Sequence, residues 1–252
     1  MTPEPPPEPG WVRVPTHPPR ATFVMLVLLV GVYMAQLGAA LVTGEDWVLA
    51  WAMRDVSSLS RGELWRLFTA TFVHGAWFHI LINAYTVYIL GREVEQIFGP
   101  VRFGLIFILS GFTSAVLGSL LSPLPSLGAG GAISGLIGAE MSFLFRHRGL
   151  LGDRSRRALE SLLMFASLIV IASLFIRLDV WGLLGGLLGG MVLAGLLGPT
   201  WTVITQRPIA PARHPELKVE DRQPLNRNRW LEIVAFILVL SALLSIGLPP
   251  HP

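Results

Sequence analysis

The feature that most constrains this chain is an uninterrupted run, from Ala21 to about Val42, that carries no charge. A helix of that length crosses a hydrocarbon core of roughly 30 Å. Six further apolar segments follow, at roughly 67–90, 103–121, 129–145, 158–176, 180–198 and 230–248. Each is about the length of a membrane helix. Charged residues make up 14% of the chain, against about 25% in a soluble domain, and mean hydropathy is +0.61. The pattern implies an all-α polytopic membrane protein and excludes a disordered, nucleic-acid-binding or ordinary cytosolic one. The isoelectric point near 9.9 rests on a net charge of only +3, so it does not indicate a nucleic-acid partner. The chain has no cysteine, which removes disulfides, thiolate nucleophiles and Cys-ligated metals.

Residues 1–20 are dense in proline and are expected to form a disordered cytoplasmic tail. The first apolar segment follows Arg20 as a signal peptide would. It is longer than an h-region and lacks a small-residue cleavage pattern, so it reads as a retained helix. Residues 21–198 form a six-span core with a long first external loop at 43–66. Trp47, Trp51 and Trp65 in and beside that loop suit the membrane interface. Residues 199–229 read as a basic cytoplasmic linker, and 230–248 as a seventh span that stands apart from the six.

Lys and Arg in alternate loops set the orientation. Of 19 such residues, only Arg54, Arg61, Arg66 and Arg177 fall in one set of loops. The rest, including the Arg148–Arg157 cluster, fall in the other. This predicts a cytoplasmic N-terminus, seven spans and an external C-terminus, in a plasma or inner membrane. The bilayer is then itself a partner, with anionic lipid favoured at the basic cluster.

Polar groups inside spans are costly and usually face the bundle interior. The second span carries the densest set: His74, His79 and Asn83. His79 and Asn83 are four apart and share a helix face. They read either as donors to a substrate carbonyl or oxyanion, or as an interhelical hydrogen-bond pair. Glu140, Glu160 and Glu232 lie near span ends, where each is expected to reach the interface or a nearby Arg. The fourth segment opens Gly128-Ala129-Gly130-Gly131, where glycines allow a tight turn and a helix N-terminus aims free N–H groups outward. In the sixth, Gly185/Gly189 and Gly186/Gly190 each have the spacing that permits close helix packing.

Taken together, these strings become specific. Trp65-Arg66 in the first loop, His74 followed by His79-x-x-x-Asn83, and Gly91-x-x-x-Glu95 followed by Gly99 resemble the rhomboid intramembrane serine proteases. So do the glycine-rich fourth segment, with Gly128 and Gly131, and the sixth, with Gly186 and Gly190. The resemblance covers about residues 22–198 and implies a six-helix rhomboid-like bundle, here with a seventh helix. It also implies a Ser–His dyad, with Ser in Gly-x-Ser-Gly at the start of the fourth helix and His in His-x-x-Gly-x-x-x-Gly on the sixth. His79 and Asn83 match the oxyanion-supporting positions.

Both dyad positions depart from that pattern. Gly130 stands at the Ser position and Leu183 at the His position, and no histidine occurs in 158–198. A hydroxyl nucleophile needs an adjacent base, and neither group is present. Ser134, one turn deeper on the same face, is the alternative nucleophile, with His79 the one histidine placed to serve it. The plainer reading is a hydroxyl bonded to the backbone four residues back. The resemblance thus implies a pseudoprotease that binds transmembrane segments of client proteins, with no cofactor and no metal. The runner-up is an active intramembrane serine endopeptidase. An unrelated transporter is disfavoured, since no internal repeat is found.

Overall fold

The computed structural model describes residues 16–175, 178–206 and 216–247. Most of the proline-rich tail, Arg177, and the middle of the 199–229 linker with Arg207 and Arg213 lie outside the described residues. The long helices are α1 (Arg20–Thr43), α5 (Trp77–Phe98), α6 (Pro100–Leu121), α7 (Gly130–Arg146), α9 (Asp153–Phe175), α10 (Val180–Leu197) and α11 (Arg227–Gly247). The first loop is itself folded into α2 (Trp47–Ala52), α3 (Val56–Ser60) and α4 (Arg66–Thr69), and α8 (Arg148–Leu151) links α7 to α9. The all-α bundle is as expected. Five helices, α1, α6, α9, α10 and α11, are long and apolar enough to cross a membrane. Of the seven expected spans, α5 falls outside this set and carries Arg92, Glu93 and Glu95 near its end. The other, α7, has only 17 residues.

Helix α7 is short because it needs little contact with lipid. It is enclosed by α5, α6, α9 and α10, and most of its side chains are buried. Glycine makes this enclosure possible. A Cβ on Gly186 would fall on the carbonyl of Gly131, and one on Gly190 on the carbonyl of Gly135. The neighbouring pair turns the other way: a Cβ on Gly185 would meet Leu117, and one on Gly189 would meet Thr113, both of α6. The two small-residue pairs of α10 therefore serve two different neighbours, α7 and α6. Close van der Waals packing of this kind is the main source of helix association where lipid is as apolar as the helices.

The start of the bundle is fixed by Glu95. Its carboxylate accepts the Ala21 N–H (2.8 Å), the Thr22 N–H (2.6 Å) and the Thr22 hydroxyl (2.7 Å). These are orphan donors of the first turn of α1, where negative charge is favoured. Gly99, at φ 81°, makes the sharp turn from α5 into α6, and Pro100 sits at the first position of α6, where its missing N–H costs nothing.

Two expectations are corrected. The seventh helix does not stand apart: Leu240 and Leu244 of α11 join Phe112 and Val116 of α6 and Leu59 and Leu67 of the first loop in one buried cluster. The polar linker also holds structure, with β1 (Trp201–Gln206) pairing antiparallel to β2 (Glu216–Asp221). This hairpin is tied to the bundle by Arg102, whose Nη2 meets Asp221 Oδ2 at 2.7 Å. It is tied again by His147, whose Nε2 accepts the Trp201 N–H at 2.9 Å.

Candidate functional site

The site forms where the first loop, the start of α5 and the starts of α7 and α10 meet. Arg66 organises the loop: its Nη1 donates to the carbonyls of Ala50 and Met53, both at 2.7 Å, and its Nη2 pairs with Glu63 at 2.6 Å. Trp65 stacks on Trp51 with ring centroids 5.7 Å apart. Helix α5 begins only at Trp77, because Trp65 to Phe72 wind into α4 and a turn. His74 therefore belongs to the loop and not to the second span, a correction to the sequence reading. It is buried: Gln36 Oε1 of α1 accepts its N–H at 2.9 Å, and Gln36 Nε2 donates to its carbonyl at 3.0 Å.

The His74 ring lies between two fixed partners. Nδ1 faces the Phe72 carbonyl at 3.2 Å, which can only accept, so the proton is assigned to Nδ1. Nε2 is then free to accept from Asn83 Nδ2 at 3.0 Å. The ring of His79 stands edge-on to that of His74, centroids 4.9 Å apart. Gly128 closes the group. Its φ is +92°, and an added Cβ would lie 2.6–2.7 Å from the His79 ring and 3.2 Å from Asn83 Nδ2. Only glycine fits there, on both backbone and steric grounds. His74, His79, Asn83 and Gly128 are thus brought together.

Two residues on, α7 opens at Gly130 with no side-chain cap. Its first N–H groups lack intrahelical partners. A Cβ on Gly130 would meet Leu183 Cδ2 at 3.3 Å, and Leu183 is 9% exposed. The two positions at which the resemblance expects a dyad are neighbours, and the side chain between them is a hydrocarbon. Ser134 is buried, but it makes no hydrogen bond to the Gly130 carbonyl or to any histidine among the described residues. The expected backbone bond is therefore not made.

Other residues of this region were not singled out from the sequence. Arg54, which reads as an exposed loop charge, is fully buried. It pairs with Asp179 (2.6 Å) and donates to Ser119 (3.0 Å) and to the Leu124 carbonyl (3.1 Å). Asp179 in turn caps α10 by accepting the Gly182 N–H at 3.0 Å. The loop, the end of α6 and the start of α10 are thereby clamped around a cavity of about 10 Å³ lined in part by Arg54, Thr71, Ser114 and Gly131. Partners up to 125 residues away give no local signal. Among the described residues no three His, Asp or Glu side chains are grouped to hold a metal ion.

A glycine-seamed bundle of apolar helices, with a buried polar site at one end, defines an integral membrane protein. A Rhomboid domain model matches residues 61–200, and the chain belongs to the rhomboid family. It is 34% identical over 157 residues to RHOMBOID-like protein 1 of Arabidopsis thaliana, covering 61% of this chain and 40% of that protein. It is 30% identical over 158 residues to Rhomboid protease GluP of Bacillus subtilis (strain 168), covering 62% and 30% respectively. It is also 37% identical over 97 residues to Inactive RHOMBOID-like protein 8 of Arabidopsis thaliana, covering 36% and 26%. The match thus spans well under half the length of these curated relatives.

Proposed function

We propose that this chain is a rhomboid pseudoprotease that binds transmembrane segments of client proteins without cutting them. The observation that carries the reading is the Gly130–Leu183 contact, with neither a hydroxyl nor a base at the two positions where the family's dyad is expected. Binding and oxyanion stabilisation alone leave roughly 10³–10⁴-fold acceleration over water. Against the very slow uncatalysed hydrolysis of a peptide bond, that is negligible.

Client binding is supported by what remains. His79, Asn83 and Gly128 form a polar group close to the uncapped start of α7, whose chemistry suits the carbonyls of an unwound segment. Among the described residues, helix α9 packs on α7, α8 and α10, and no comparable packing joins it to α5. That gap gives a client a lateral way in. In this reading the N-terminus is cytoplasmic, the C-terminus external, and the site faces the external side of a plasma or inner membrane.

The test is repair. Gly130→Ser with Leu183→His is expected to gain labelling by a serine-reactive phosphonate, while the unaltered protein stays unlabelled. Labelling of the unaltered protein that is lost in Ser134→Ala would overturn the reading in favour of an active serine endopeptidase.

A further inference from the structure

Glu140 is the one carboxyl in α7, and it breaks the pattern expected of it. It reaches neither the interface nor an Arg. Its side chain is buried, Oε2 has no hydrogen-bond partner, and no ion pair to it occurs among the described residues. Leaving an ionisable group inside a membrane bundle without a partner is expensive, and such groups are commonly functional.

Its direction follows from helical phase. Gly131, Gly135 and Gly138 face Ser114, Ser110 and Leu187, which defines the side of α7 turned to α6 and α10. At about 100° per residue, Glu140 is rotated about 200° from Gly138 and about 140° from Gly135. It therefore lies on the side of α7 turned away from α6 and α10; the other long helices that pack on α7 are α5 and α9. These are the helices with no comparable packing between them. Glu93 lies exposed near the end of α5, a helix that packs directly on α7. Glu140 is ten residues, roughly 15 Å, along α7 from Gly130, towards the arginine-rich end.

Resting on the client-binding reading above, we infer that Glu140 and Glu93 form an acidic recognition site between α5 and α9, uncovered as those helices part, for a Lys or Arg within the client's membrane segment. The occupant is chosen by charge complementarity: among the described residues no Lys or Arg pairs with Glu140, whose Oε2 is buried without a partner. Arg146, at the end of α7, instead donates to the Gly195 carbonyl. Arg92, beside Glu93, is engaged with Tyr88.

The test uses the full chain in phosphatidylcholine nanodiscs and leucine-rich single-span peptides. These carry one Lys, one Glu or neither, in the half of the span nearer the arginine-rich end. The Lys peptide is expected to bind roughly three- to tenfold more tightly than the apolar one, the scale of one polar contact in a bilayer. The Glu peptide is expected to bind no better than the apolar one. Glu140→Gln should erase the Lys preference and leave apolar binding unchanged. Glu93→Gln, at an exposed position, should lower the preference in part. Equal binding of Lys and apolar peptides to the unaltered protein would overturn this inference while leaving client binding intact. Failure of every peptide to bind would overturn both.

Discussion

The two halves of the site differ in chemistry while sharing one scaffold. On one side, His74, His79, Asn83 and Gly128 form a polar group in which each side chain has a fixed neighbour and Gly128 admits no Cβ. On the other, Gly130 and Leu183 meet across a plain hydrocarbon contact. Both halves depend on the same seam of α6, α7 and α10, which still requires glycine where backbones touch. Fold and reactivity are therefore separable here: packing constrains Gly186 and Gly190 whether or not a nucleophile and base are present.

The clamp beneath both halves offers the largest expected effect. Arg54→Met leaves Asp179 buried without its cation, a change expected to cost about 3–5 kcal/mol. It should appear as a lower Tm in detergent and as loss of both halves together. The seam comes next. Gly186→Val drives a side chain into the Gly131 backbone, which cannot give way as a side chain would, and should cost about 3 kcal/mol. A Leu183→Ala variant, measured in parallel, should fold and separate the Gly130–Leu183 contact from the seam.

A finer contrast separates the halves directly. Gly128→Ala meets both a left-handed φ and the His79 ring, and should cost about 1–3 kcal/mol. Gly130→Ala meets only the flexible end of Leu183 and should cost less than about 1 kcal/mol. Equal Tm losses in the two variants would break the comparison.

The smallest effect lies at the far end of the bundle. Burial pushes His147 below its usual imidazole range, with Arg146 adding to this, while the Phe143 carbonyl and Asp221 act in the opposite direction. The neutral ring is therefore the folded form, and its Nε2 is occupied by the Trp201 N–H. Its contribution is complete above about pH 6.5 and is lost as pH falls from there through the lowered value. Hydrogen exchange at the Trp201 amide should accelerate over that acid window. A rate that changes only with the intrinsic exchange chemistry would contradict it.

Much of this was legible in the sequence because the membrane imposes a length and an absence of charge. The Ala21 run, the segment at 103–121 and the paired glycines of α10 sit close to where reading along the chain puts them. The juxtaposition of Gly130 and Leu183 follows from the same glycine register. What stayed hidden depends on distant partners. Arg54 looks like a loop charge until Asp179 and Ser119 come to it. His74 looks like part of a span because Leu67 to Phe72 carry no charge and read as an extension of α5, yet they wind as a separate turn. In β2, Leu217 and Val219 do alternate with Glu216, Lys218 and Glu220, a strand signal inside a segment that otherwise reads as a linker; the hairpin is held by Arg102 and His147, contacts that no local pattern announces.

The most direct test is to incubate the purified, unaltered chain with a model transmembrane substrate, beside the Gly130→Ser, Leu183→His double variant. Bound but intact substrate is expected with the unaltered protein, and weak cleavage with the double variant. Cleavage by the unaltered protein that disappears in Ser134→Ala would contradict it.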